Sequence, residues 1–215
     1  MKKNKLFAGL LAAAMLTAAL PGAAFAAHDG LLIAPRPENV TIAPRPENPL
    51  ISPNPDAPMT RGQLVTRLWE QSGKPVVNFL LQFEDVTEGT DEAEAIRWAV
   101  SEQLAAGYGD GKFGAADPVT REQLATVVYH YVQKFGMGFQ GSWMFYLPAE
   151  DKGDIAEWAF EPIMWLVAGR LLDGDSKLLP QEQLTVAQAD ALLTGVTQRA
   201  AEKGVDFADY GKTEQ

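Results

Sequence analysis

The chain has 215 residues, contains no cysteine and only two histidines, and carries a formal net charge of −10 at pH 7. Without cysteine it can form no disulfide framework, thiol nucleophile or thiolate metal site. His28 and His130 lie far apart in the sequence, so we expect neither a histidine metal site nor a Ser-His-Asp triad, and no cofactor. The acidic balance argues against nucleic acid as the main partner.

Residues 1–26 have the pattern of a secretory signal peptide. Three lysines precede an apolar run from Leu6 to Leu20, which is shorter than the ~20 residues that a bilayer-spanning helix needs. Ala24 and Ala26 then fit the small-x-small pattern of a cleavage site. We expect a secreted chain that starts at Ala27 and has no membrane span after cleavage; the alternative is an uncleaved anchor.

Residues 27–58 hold eight of the 14 prolines of the chain. Residues 33–39 are repeated at 42–48, with alternating prolines in both copies. Because such prolines favour polyproline II, we predict a semi-rigid extended spacer. The alternative is a ligand for a proline-recognising partner.

Three stretches of the chain begin with Thr-x-x-Gln and continue as apolar helices; they start at Thr60, Thr120 and Thr185. The threonine hydroxyl can accept a hydrogen bond from the amide three residues on, and the glutamine can reach back to the threonine amide. Each stretch therefore predicts a helix start with a capping box.

Two other segments also recur. The Gly/Asp loop at 109–113 resembles residues 174–178, and the tryptophan-containing stretch at 96–100 resembles residues 163–167. Internal repetition on this scale indicates a repeat architecture.

The fold class predicted from these patterns is all-α, because no segment shows the sustained alternation of a strand. A helix is expected to start near Asp154, to kink or break at Pro162, and to resume as far as Leu172. Four more helices are expected from Thr60 to about Gln71, from Asp91, from Thr120 to about Phe135, and from Thr185 to about Glu202.

Four consecutive features carry a resemblance to a known family. They are Phe-Glu-Asp-Val at 83–86, the helix with Trp at 95–100, Gly-Tyr-Gly-Asp-Gly-Lys-Phe at 107–113, and Val-Thr-Arg-Glu-Gln-Leu-Ala at 119–125. Together they resemble the S-layer homology (SLH) repeat of bacterial surface proteins. The resemblance divides the chain into a partial repeat at 59–82, a repeat at 83–145, a degenerate repeat at 146–202 and a tail at 203–215.

The resemblance implies a helical domain with pseudo-threefold packing, here incomplete because the first repeat lacks its front helix. It implies that grooves between repeats bind secondary cell wall polysaccharide, often pyruvylated, and hold a secreted protein to the bacterial cell wall without catalysis. It also assigns the arginine of the Thr-Arg motif to those grooves, which selects Arg61 and Arg121. The third motif has Val186 at this position.

The chemistry of the two arginines fits an acidic ligand. Arg61 and Arg121 occupy the first helical position, where free amides and a guanidinium together could receive a carboxylate. The alternative for Arg121 is a salt bridge with Asp117 or Asp85 that ties a loop to a helix.

Six neighbouring residues complete the candidate polysaccharide site: Thr120, Glu122, Asp110, Gly111, Lys112 and Trp98. Trp98 and Trp165 could stack on sugar faces, but a tryptophan at helical spacing is also a core residue. The loop residues could rim the groove or serve turn geometry alone. His130 is expected on a helix surface without a partner.

Three other functions were weighed against this interpretation. A calcium loop starting at Asp173 fails because Leu178 and Leu184 occupy positions that need Gly and Glu. An enzyme remains conceivable only through a carboxylate pair of Glu122 and Asp85. The main alternative is a degenerate scaffold for protein interaction or self-association, in which a neighbouring chain supplies the missing front helix.

Overall fold

The computed structural model describes residues 54–78, 83–141 and 146–211, so the predicted signal peptide and most of the predicted spacer lie outside the described residues. The described residues form five α-helices and contain no β-strand, which confirms the all-α prediction for this part of the chain. None of these helices is long and apolar enough to cross a membrane. The helices are α1 (Arg61–Gln71), α2 (Asp91–Ser101), α3 (Arg121–Gln133), α4 (Phe160–Ala168) and α5 (Val186–Glu202).

The capping boxes predicted at three helix starts are all present. Thr60, Thr120 and Thr185 each accept a hydrogen bond from the amide of the glutamine three residues on, and each glutamine side chain returns one to the threonine amide. The starts of α1, α3 and α5 therefore follow from local sequence alone.

The prediction of a helix from about Asp154 to Leu172 is wrong in its bounds. Two short 3₁₀ turns, Lys152–Asp154 and Glu157–Ala159, occupy this segment, and α4 begins only at Phe160. Pro162 lies in the first turn of α4, where a helix has no intrahelical acceptor for the missing amide, so it neither kinks nor breaks the helix. The helix also ends at Ala168, short of Leu172.

A closed ring of three backbone hydrogen bonds joins the residues that precede the three capping threonines. The Met59 amide donates to the Leu184 carbonyl (2.8 Å), the Leu184 amide to the Val119 carbonyl (3.1 Å), and the Val119 amide to the Met59 carbonyl (2.8 Å). All three residues are buried. The ring brings the starts of α1, α3 and α5 to one point of the molecule.

The first two amides of each of these helices donate to a neighbouring loop. The donor and acceptor pairs are Arg61–Asp117 and Gly62–Ala115 for α1, Arg121–Glu182 and Glu122–Pro180 for α3, and Val186–Ala57 and Ala187–Pro55 for α5. The last two pairs show that part of residues 54–58, which the sequence placed at the end of the spacer, is hydrogen-bonded to the start of α5.

Helix pairs form between successive repeats. α1 packs against α2, and α3 packs against α4 together with the preceding 3₁₀ turn. α5 comes last in the chain, and its outward face carries small and polar side chains that are exposed to solvent: Ala187, Ala191, Thr194 and Gln198. This face is suited to water rather than to a packed helix.

The segment predicted as a tail is folded back onto the helices as far as it is described. Phe207 is 3% exposed, and its ring centroid lies 4.9 Å from that of Tyr131 and 4.8 Å from that of Phe135. Tyr210 packs edge-on against Trp98, with ring centroids 5.5 Å apart. Residues 203–211 therefore close the aromatic end of the core.

Candidate functional site

Arg61 begins α1 and is almost entirely enclosed. Only 5% of the residue is exposed, and its guanidinium lies over the rings of Tyr108 (4.8 Å) and Phe113 (4.9 Å). Its Nε donates to the Phe113 carbonyl (3.3 Å) and its Nη2 to the Ala106 carbonyl (2.7 Å). Burial lowers the pKa of Arg61, but a guanidinium remains charged at any physiological pH.

A small pocket of about 50 Å³ opens beside this guanidinium. It lies between the start of α1, the segment that follows α2, one face of α3, and the 3₁₀ turn before α4, so it is formed by all three repeats. Its polar and aromatic lining residues are Arg61, Gln103, Gln123, Thr126, His130 and Trp158.

His130 lies in this pocket rather than on an open helix surface, which corrects the expectation from the sequence. Burial is the main cause that lowers the pKa of His130, and Lys134 acts in the same direction. The Leu104 carbonyl and Glu161 oppose the shift. The buried Nδ1 has no hydrogen-bond partner of good geometry among the described residues.

Arg121 is occupied by the loop of the following repeat. Its Nη1 donates to the carbonyls of Leu178 and Leu179, the latter at 2.9 Å, and its Nη2 pairs with Glu182 at 2.9 Å. The side chain is 13% exposed. Arg121 therefore clamps a loop to a helix, although not through the carboxylates that the sequence suggested.

The two suggested carboxylates lie elsewhere. Asp85 accepts hydrogen bonds from the amides of Phe113, Gly114 and Ala115, so it holds the loop of its own repeat. Asp117 lies near Arg61 and contributes a favourable charge to it.

The helix starts are not open anion receptors, contrary to the expectation from sequence. The first two amides of α1 and α3 donate to loop carbonyls, and the third donates to the threonine hydroxyl of the capping box. With these donors already bonded, the positive end of the helix has no free amide for a ligand.

Thr120 and Glu122 belong to the junction between the second and third repeats. Thr120 is the buried cap of α3, and the carboxylate of Glu122 accepts hydrogen bonds from the Ala156 amide (3.1 Å) and the Gln181 side chain (2.6 Å). Burial raises the pKa of Glu122. Neither residue lines the pocket, so both hold its walls in place.

Trp98 lies in the core rather than on a surface that a sugar could reach. It is 0% exposed and packs edge-on against Tyr131 and Tyr210. The tryptophan that lines the pocket is Trp158, which is not among the candidate site residues predicted from the sequence.

The three loop residues of the candidate site form an exposed turn. Asp110 accepts a hydrogen bond from the Lys112 amide (3.1 Å), and Gly111 has a φ of +84°, which favours glycine. None of the three lines the pocket, so their observed role is turn geometry.

The pocket could be found from sequence only in part. His130 lies seven residues after Gln123, a spacing that places both on one side of a helix, and this was a usable signal. Trp158 comes from a different repeat, and no spacing within one repeat brings it to α3. Across the described residues, no group of three or more His, Asp or Glu side chains is placed to hold a metal ion.

Comparison with known proteins agrees with the repeat pattern. The family model of the S-layer homology domain matches residues 82–125. A cellulosome-anchoring protein of Acetivibrio thermocellus is 29% identical over 136 residues, which cover 61% of this chain and 30% of that protein. The chain thus spans less than a third of the length of this relative. Residues 82–125 therefore match the S-layer homology domain, the family that the sequence pattern resembles.

Proposed function

We propose that this protein is a non-enzymatic wall-binding module, which attaches to a secondary cell wall polysaccharide through the pocket beside Arg61. The observation that carries the proposal is the set of side chains gathered there, next to an S-layer homology domain. A buried guanidinium, the aromatic Trp158 and the amide of Gln103 are what an acidic sugar needs: a counter-charge, a stacking surface and a hydrogen-bonding group.

The size of the pocket suggests which part of the polysaccharide it takes. A single water needs ~10–15 Å³ of such space, so about 50 Å³ admits a few water-sized groups and no whole sugar ring. The carboxylate of a pyruvyl ketal is a substituent of this size. The ring that bears it would then lie outside the pocket, against the face of Trp158.

The ligand is held by local geometry rather than by long-range attraction. The chain is acidic, with a formal net charge of −10, and its field does not steer an anion to the surface. The guanidinium of Arg61 is buried in a site with little water, where a hydrogen bond from it to a carboxylate is stronger than in solvent.

The arrangement of the repeats supports pseudo-threefold packing with one complete groove. The hydrogen-bond ring of Met59, Val119 and Leu184 relates the three junctions to one another. When the capping motifs of α3 and α5 are aligned, Gly195 stands in place of His130 and Ala191 in place of Thr126. The junction at Arg121 therefore lacks the side chains that make the Arg61 pocket chemically distinctive.

The remaining parts of the chain fit a protein held at the cell surface. The predicted signal peptide would export it, and the predicted spacer at 27–58, apart from its last residues, would precede the folded domain. The name of the relative describes an anchoring protein, and we extend to this chain only the wall attachment itself.

The proposal is tested by co-sedimentation of the purified protein with cell walls, before and after chemical removal of the secondary polysaccharide. We expect binding to intact walls, loss of binding to stripped walls, and about tenfold weaker binding by Trp158→Ala, equivalent to ~1.4 kcal/mol. Tyr146→Ala is the matched control, because Tyr146 is an exposed aromatic that does not line this pocket. A folded protein that ignores intact walls would contradict the proposal and favour a scaffold with a protein partner.

A further inference from the structure

We propose that the pocket binds a carboxylate together with a proton, which His130 takes up, so that the polysaccharide is held more tightly at mildly acidic than at alkaline pH. This inference rests on the proposed function, because it assumes that the ligand in the pocket is a carboxylate-bearing polysaccharide. It adds a second cation to the site and makes attachment sensitive to pH.

The geometry places two potential cations around one small space. Arg61 reaches the pocket from the start of α1, and His130 reaches it from α3. Because the pocket is only about 50 Å³, a carboxylate inside it lies close to both side chains. The imidazole also has a buried Nδ1 without a well-placed partner among the described residues, so it can respond to a ligand.

The protein groups around His130 disfavour its charged form. Burial lowers the pKa of His130, and the charge of Lys134 on the same helix adds to this effect. Arg61, on α1, is a permanent positive charge in the same pocket. The groups that act in the opposite direction are Glu161 on α4 and the Leu104 carbonyl after α2. Burial is the largest of these effects, so the pKa of His130 lies below its ordinary value.

A bound carboxylate reverses this balance. An opposite charge within ~4–6 Å favours the charged form of a titrating group by about 1–3 pKa units. Each unit by which binding raises the pKa of His130 corresponds to a tenfold difference between the two limiting affinities. Below the pKa that His130 has in the free protein, His130 is protonated both with and without the ligand, and binding is tight. Above the pKa that His130 has in the complex, it is neutral in both forms of the protein, and binding is weak.

The test is titration calorimetry of the full chain with purified wall polysaccharide at several pH values from 5 to 8.5. A second probe is the same polysaccharide after reduction of its carboxylates to alcohols. We expect the affinity of the native polymer to fall at least tenfold across this range. The reduced polymer should bind weakly at every pH. The same pH dependence with the reduced polymer would overturn the inference.

Two histidine variants distinguish the titration of His130 from other effects of pH on binding. His130→Gln should bind with an affinity that does not change with pH, and His28→Gln, altered outside the described residues, should behave as the parent does. Affinity independent of pH in the parent, or a slope retained in His130→Gln, would overturn the inference and leave the proposed function intact. Absence of binding at every pH would overturn both.

Nuclear magnetic resonance gives a readout that needs no variant to fold. The chain has only two histidines, so two imidazole signals report the whole titration. We expect one signal to titrate at higher pH when native polysaccharide is present. Two signals that titrate identically with and without the polymer would refute proton uptake by His130.

Discussion

The two Thr-Arg arginines occupy matched positions but differ in burial, and this difference predicts unequal effects of replacing them by methionine. In Arg61→Met, the carbonyls of Ala106 and Phe113 lose the guanidinium that bonds them inside the protein. In Arg121→Met, the carbonyl of Leu179 and the carboxylate of Glu182 lose their partner at the surface, where water replaces it.

The loss in free energy of unfolding expected for Arg61→Met follows from two opposing effects. Each buried carbonyl left without a donor costs ~1–3 kcal/mol, and the two cation–π contacts contribute ~0.5–1 kcal/mol each. Methionine recovers part of this, because a buried guanidinium itself carries a desolvation cost. We expect a net loss of about 2–4 kcal/mol. For Arg121→Met we expect about 1 kcal/mol, because Glu182 is 46% exposed and such pairs contribute little.

Urea unfolding, followed by circular dichroism, measures both losses. With a slope of ~2 kcal/mol per molar urea, Arg61→Met should lower the midpoint by about 1–2 M and Arg121→Met by about 0.5 M. Equal losses, or a larger loss for Arg121→Met, would refute the reasoning that Arg61 is held by buried acceptors.

Two further predictions concern packing. Gly62→Ala should destabilise the protein by ~1–2 kcal/mol, because the added Cβ would clash with the Glu92 carboxylate and come close to the Ala115 carbonyl. In the Glu92→Ala background the part of this cost that is due to the carboxylate should disappear, and a double-mutant cycle that shows no coupling would contradict the clash. Phe207→Ala should cost about 3–5 kcal/mol in urea unfolding, and a loss below ~1 kcal/mol would show that residues 203–211 do not seal the core.

Local signals in the sequence were enough for the helix starts of α1, α3 and α5. The capping boxes depend on residues only three positions apart, so the hydrogen bonds that form them are fixed within one turn. The repeat at 83–125 was likewise readable, because its loop and helix residues occur at regular spacing. These features depend on residues that are close in sequence, so contacts between distant parts of the chain do not alter them.

The features that depend on contacts between repeats could not be read in this way. The choice between Trp98 and Trp158 is the clearest case. Trp98 has the spacing of a buried helix residue and is buried, whereas Trp158 lies in a 3₁₀ turn and reaches the pocket only because α4 packs on α3. The occupied helix amides were missed for the same reason, since their acceptors come from the next loop along the ring.

The α1–α2 and α3–α4 junctions each contain a carboxylate, but it comes from a different helix in each. At the α3–α4 junction the acid is Glu122 on the first helix, which accepts a hydrogen bond from the Ala156 amide, and Ala159 is the residue before the second helix. At the α1–α2 junction the first helix has Gly62, and the Glu92 carboxylate of the second helix lies against it. The buried carboxylate is therefore on the first helix at one junction and on the second helix at the other.

The same comparison indicates that the two motif arginines share a structural role, which is to join a helix start to a loop. Arg61 and Arg121 bond equivalent loop carbonyls, those of Phe113 and Leu178, and this shared role accounts for their shared position at a helix start. What differs is the wall opposite the guanidinium. α3 presents His130 beside Arg61, whereas α5 has Gly195 at the aligned position. The side chains that distinguish the pocket beside Arg61 from the junction at Arg121 therefore lie outside the Thr-Arg motif.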